Sequence, residues 1–90
     1  MTAATLAPAA TALQPTLPTL LIVDDEEGPR HSLRMVFRQD FNVQAVDNGD
    51  KALEFARSHP VQLAILDIRM AGKSGIDVLR GLKAIDPHIE

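Results

Sequence analysis

The chain has 90 residues, 46% of them hydrophobic and 23% charged, with a formal net charge of −3 and no cysteine, which leaves room for one small domain. A weakly acidic chain without a basic cluster is unsuited to gripping nucleic acid, and a chain without thiols has neither disulfides nor cysteine metal sites. Apolar runs of no more than about five residues are too short to cross a membrane.

Residues 1–18 contain Ala, Thr, Leu and Pro with a single Gln14 and no charged side chain. Pro8, Pro15 and Pro18 interrupt any compact apolar stretch, and a secretory signal also needs a positive start. The segment therefore reads as a flexible leader, and residues 19–90 as the folded part.

From Thr19 the pattern is ordered. Leu20 to Val23 is a continuous apolar run ending in Asp24 and Asp25, as in a strand buried on both faces of a parallel sheet. A helix follows, with Pro29 in its first turn, where the missing N–H costs nothing. Leu33, Val36 and Phe37 form its apolar face. Phe41 to Val46 alternates, with Phe41, Val43 and Ala45 on the drier side, which predicts an edge strand. Asp47, Asn48 and Gly49 supply turn and cap chemistry. Ala52, Leu53 and Ala56 mark a second helix that stops before Pro60. Val61 to Leu66 is a third, nearly continuous apolar strand ending at Asp67. Arg69 to Gly75 reads as a loop. Ile76, Val78, Leu79, Leu82 and Ile85 pattern a third helix closed by Asp86 and Pro87, after which His88 to Glu90 starts a fourth strand.

Alternating strands and helices specify an α/β fold with a parallel sheet and right-handed crossovers. A sheet order of 2-1-3 makes the second strand an edge, and would keep both continuous strands interior if more strands lay beyond the third, which this segment leaves at the other edge. The third strand is then too apolar for an edge, and self-association through an unpaired third or fourth strand is an expectation.

Two strands end in acid. If the first and third are neighbours, about 5 Å apart, Asp24, Asp25 and Asp67 converge beyond the carboxyl ends of the strands, where open α/β sheets bind ligands. Such carboxylates repel unless a cation joins them, and an all-oxygen cluster suits Mg²⁺. A carboxylate in line with a phosphoryl group can act as nucleophile. Taken singly, Asp24 or Asp25 reads as a helix cap and Asp67 as a turn residue; the joint arrangement is what points to chemistry.

These motifs resemble the receiver domains of two-component response regulators. Leu21-Ile22-Val23-Asp24-Asp25-Glu26 is similar to their first-strand motif. Leu63 to Met70 is similar to their phosphorylation-site strand, Gly72 to Leu79 to the loop and helix beyond it, and Asp47-Asn48-Gly49 with Ala52-Leu53 to their second strand-to-helix turn. The resemblance runs from about Thr19 to Glu90. It implies a flavodoxin-like doubly wound sheet, present here as about (βα)3 plus the start of a fourth strand. It also implies that Asp67 is the phosphoacceptor, with Asp24, Asp25, Asp67 and the backbone carbonyl of Arg69 around Mg²⁺. The donor would be a phosphohistidine of a sensor histidine kinase or phosphotransfer protein. The domain would catalyse its own phosphorylation and dephosphorylation, as a cytoplasmic signalling module rather than a metabolic enzyme, and would act on an output outside this segment.

Ala71 stands where the family usually has proline. The family's switch Ser or Thr and its site Lys fall beyond Glu90, and Lys73 reads as a solvated loop residue rather than a substitute. One alternative is a receiver-shaped interaction module without phosphorylation. A remoter one is a P-loop, suggested by Gly72-Lys73-Ser74; Asp67 then occupies the position of the first glycine, where its charge opposes phosphate. His31, His59 and His88 show no metal spacing.

Overall fold

The computed structural model describes residues 17–70 and 74–90. Most of the expected leader, residues 1–16, and Ala71, Gly72 and Lys73 lie outside the described residues. The elements run β1 (Thr19–Val23), α1 (Glu27–Phe37), β2 (Asn42–Val46), α2 (Gly49–Ser58), β3 (Leu63–Leu66) and α3 (Gly75–Ile85). The sheet is parallel in the order β2-β1-β3, with Val23 opposite Val46 on one side and Leu66 on the other. This is the expected 2-1-3 order.

β1 is buried along its whole length, as its unbroken apolar run requires. Its side chains alternate between two unlike faces. Leu21 and Val23 join Val46, Ala52, Leu53, Ala56, Val78 and Leu82 in one core under α2 and α3. Gly81 lets these helices close up, since a Cβ there would lie 2.6 Å from Leu53 Cδ2. Leu20 and Ile22 are equally buried but point to the opposite face, where α1 packs on β1 and β2. No α1 residue is fully buried. Leu33 and Phe37 are half-buried as expected, but Val36 is 67% exposed, because α1 lies over β1 and β2 and leaves the β3 side open.

The edges also depart from the alternation read in the sequence. On β2 the buried residues are Asn42 and Val46, not Phe41, Val43 and Ala45. Val46 joins the core beneath α2, while the Asn42 side chain donates to the Leu17 carbonyl at 3.0 Å and its backbone N–H to the Pro18 carbonyl at 2.8 Å. β3 is only half-buried. Its outer edge pairs with Glu90 alone among the described residues: the Glu90 N–H donates to the Gln62 carbonyl at 3.1 Å and its carbonyl accepts from the Ala64 N–H at 2.7 Å. Two such bonds have the pattern of one parallel bridge, which is all that forms of the expected fourth strand among the described residues.

Helix starts follow local chemistry. The Asn48 side chain accepts the Lys51 N–H at 2.8 Å and caps α2; α2 ends at Ser58, ahead of Pro60. Ser74 caps α3 by accepting the Asp77 N–H at 3.3 Å. Gly75, expected in the loop, is the first residue of that helix. Val78 and Leu82 are buried, whereas Ile76 and Leu79 stand on the exposed side.

Candidate functional site

The register carries the acidic residues to one place. The last β1–β3 pair is Val23 with Leu66, so Asp24 and Asp67 follow side by side. The ladder extends one bond further on each flank: the Asp67 N–H donates to the Val23 carbonyl at 2.9 Å and the Asp24 N–H to the Val46 carbonyl at 3.1 Å. Asp24, Asp25 and Asp67 each place a carboxylate oxygen within 4.8 Å of the others. Asp24 and Asp67 are half-buried and Asp25 is exposed. With Glu26, Leu33, Ile65 and Arg69 they line a cleft of about 610 Å³ at the carboxyl edge of the sheet.

Two carboxylates are oriented in the same way. Asp24 Oδ1 accepts the Glu26 N–H at 2.9 Å, and Asp67 Oδ1 accepts the Arg69 N–H at 3.0 Å. Each loop turns on its own aspartate, which leaves the second oxygen of each available to a cation. Each pair in this cluster repels by roughly 1 kcal/mol under full water screening and by about 3 kcal/mol when partly desolvated. A divalent cation among them turns that repulsion into attraction, and three carboxylates with room for water and phosphate oxygens fit Mg²⁺ better than a nitrogen- or sulfur-seeking metal.

Neighbouring groups hold this geometry. Gly75 is essential to the packing beside Asp67: its N–H donates to the Ile68 carbonyl at 3.3 Å, and a Cβ there would lie 2.6 Å from the Asp67 carbonyl oxygen and 2.7 Å from Ile68 Cα. On the other side, Arg30 reaches back from α1, and its Nη1 donates to the Asp24 carbonyl at 2.9 Å. Arg30 opens on a separate pocket with Glu27, His31, Arg34 and Ala45. At the end of β2, Asp47 pairs with Lys51 at 3.0 Å. The Lys51 hydrogen bond and charge, with a smaller contribution from the Arg30 charge, hold the Asp47 carboxyl below its usual range.

A parallel α/β sheet with an acidic cluster at the carboxyl ends of two neighbouring strands belongs to the class of open α/β folds that bind ligands at that edge. Comparison with known proteins narrows the class. The family model for the response regulator receiver domain matches residues 20–90, and the chain belongs to that family. It is 35% identical over 71 residues to sporulation initiation phosphotransferase F of Bacillus subtilis, covering 78% of this chain and 57% of that protein. It is 33% identical over 73 residues to the fimbriae Z protein of Salmonella typhimurium, covering 78% of this chain and 35% of that protein. Among solved structures it resembles response regulator protein TrrA of Thermotoga maritima, crystallised with Mg²⁺ and BeF, at 29% identity and a TM-score of 0.76, over 82% of this chain and 65% of that one. The chain thus spans about a third to a little over half of the curated relatives just named.

The structure brings Asp24, Asp25 and Asp67 together as the sequence predicts, and places Arg69 on the wall of the same cleft. Lys73 lies outside the described residues. The histidines stay apart from this cleft; the His59 ring stacks on Phe55 with centroids 4.3 Å apart. Two supporting residues escaped the sequence reading. Arg30 sits six positions after Asp24, and only the turn into α1 folds it back. Gly75 looked like an ordinary loop glycine until the Asp67 backbone was packed against it. Among the described residues no helix is long and apolar enough to cross a membrane.

Proposed function

We propose that this chain is a phosphoacceptor module in which Asp67 takes a phosphoryl group from a phosphohistidine of a sensor histidine kinase or phosphotransfer protein. The observation that carries this reading is the convergence of Asp24, Asp25 and Asp67 within 4.8 Å at the end of the two paired strands. Asp67 is the nucleophile: its free carboxylate oxygen attacks phosphorus as the donor's nitrogen–phosphorus bond breaks, leaving an acyl phosphate. The hydrogen bond from the Arg69 N–H holds the other oxygen and fixes the carboxylate plane. Asp24, Asp25, Asp67 and the Arg69 carbonyl are the residues to hold Mg²⁺. When bound, the ion neutralises charge on the transferring group.

The kinase assignment draws support from a related structure, histidine kinase ThkA in complex with TrrA, in which TrrA matches this chain with a TM-score of 0.75 at 29% identity. A cytoplasmic setting agrees with such a partner. Phosphorylation then biases an inactive–active equilibrium that an output segment reads. A receiver-shaped module without phosphorylation has less support, since all three acidic groups are present and aligned.

The test is incubation with a small-molecule phosphodonor and Mg²⁺, followed by intact mass spectrometry. One phosphoryl adduct is expected, absent from Asp67→Asn and absent with a chelator. An adduct that survives Asp67→Asn refutes the site assignment.

A further inference from the structure

We infer that Arg30 is a positioning residue that sets the Mg²⁺ affinity of the acidic site by holding the Asp24 carbonyl from outside the metal cleft; this deepens, and rests on, the phosphoacceptor reading above. Three of the polar groups of Asp24 are tied down. Its N–H donates to the Val46 carbonyl at 3.1 Å, its Oδ1 accepts the Glu26 N–H at 2.9 Å, and its carbonyl accepts Arg30 Nη1 at 2.9 Å. The first bond belongs to the sheet and the second to the turn itself. The third is the one long side-chain reach of the set, from the end of the first turn of α1 back over six residues. It fixes the peptide that joins Asp24 to Asp25, and so the relative direction of two carboxylates that must share one ion.

Arg30 does not line the cleft that holds the carboxylates; it lines the neighbouring pocket with Glu27, His31, Arg34 and Ala45. It therefore acts through the Asp24 peptide rather than on the carboxylate oxygens offered to the ion. Its charge pulls the other way. A cation beside an acidic cluster lowers the affinity of that cluster for another cation. The two roles of one guanidinium predict opposite changes in Mg²⁺ affinity when it is removed. An arginine suits the position because its planar fork holds a fixed carbonyl direction while staying charged, whereas a lysine offers a single mobile point charge.

The experiment is Mg²⁺ titration of the wild-type chain, Arg30→Met and Arg30→Lys by calorimetry, with Asp25→Asn as the site control. Amide NMR spectra report folding and the environment of residues 24–26. Arg30→Met is expected to weaken Mg²⁺ binding about tenfold, as loss of an outer-shell partner does at other metal sites. The amide shifts should concentrate at residues 24–26, and the weakening should persist at high salt, because a lost hydrogen bond is not screened. Arg30→Lys keeps the charge and one donor, and is expected to lie between the two. If Arg30→Met alone loses its folded spectrum, Arg30→Lys carries the test, and affinity equal to the wild type then overturns the role. If Arg30→Met binds Mg²⁺ as tightly as the wild type or tighter, charge is what matters and the positioning role is overturned, while the receiver reading stands. If the wild-type chain itself binds no Mg²⁺, or Asp25→Asn binds it unchanged, the metal site falls and this inference with it.

Discussion

The two faces of the sheet are built unequally. Under α2 and α3, Leu21, Val23, Val46, Leu53, Val78 and Leu82 make a continuous core, and three residues of α3 and four of α2 are buried. Under α1, Leu20 and Ile22 are just as dry, yet no residue of α1 is buried and Val36 and Met35 face solvent. The same strand thus contributes to a dense side and a sparse one. The acidic site straddles them. Asp67 is braced from the dense side by the start of α3, whereas Asp24 is braced from the sparse side by one arginine. Packing fixes Asp67, the proposed phosphoacceptor, and polar contacts fix Asp24 beside Asp25. Sites carried on tight cores tolerate little volume change, while sites held by a few hydrogen bonds are the easier ones to tune.

The sharpest way to break this contrast is to truncate both sides. Leu82→Ala is expected to cost about 2–5 kcal/mol, because it opens a cavity in a fully packed layer. Val36→Ala should fall within about 0.5 kcal/mol of the wild type, as surface changes do. Paired denaturant titrations of the two variants check this, and a large loss at Val36 would mean that the sparse side is covered in solution.

Gly75→Ala should come next, at about 1–3 kcal/mol, since the added methyl group overpacks against backbone rather than a pliant side chain. The strained contacts are the Asp67 carbonyl and Ile68 Cα, so the amide signals of Asp67 to Arg69 should move most. Phosphorylation by a small-molecule donor should slow as well. A variant with unchanged stability and unchanged Asp67 signals would show that α3 does not brace Asp67.

The smallest effect belongs to Asp47 and Lys51. The Asp47 carboxyl is held below its ordinary value of 3.8, chiefly by its Lys51 hydrogen bond and charge. A depressed carboxylate stabilises the fold above its unfolded pKa and loses that contribution as pH falls through the folded one. Lys51→Met should therefore move the Asp47 titration upward toward 3.8 and leave stability near neutrality almost unchanged, because the pair is exposed. Carboxylate NMR shifts against pH measure it. A titration of Asp47 that does not move on Lys51→Met would assign the depression to another group.

Much of this was legible in the residue order. An unbroken apolar run is stable only between two strands and two layers, and that made β1 central and its neighbours parallel. Acids at the ends of β1 and β3 had to meet once those strands paired. Asn48 marked the start of α2, because short polar side chains satisfy the first free N–H groups of a helix. The edges were less legible. Asn42 looked solvent-facing by alternation, but its amide found the Leu17 carbonyl, and a satisfied hydrogen bond made its burial affordable. Apolar content told that β3 seeks cover, not that Glu90 supplies the first bridge.

What the sequence by itself determined was the class of fold, the strand order and the three carboxylates, because these follow from short-range periodicity and from where polar residues interrupt it. What only the tertiary structure decided was how those carboxylates are held: the backbone approach that permits nothing larger than Gly75, the reach of Arg30 to the Asp24 carbonyl, and the exposure of Val36. Each depends on the distance between segments far apart in the chain or on the turn that joins them. Local pattern carries no record of such distances, since they are set when strands pair and helices settle on the sheet.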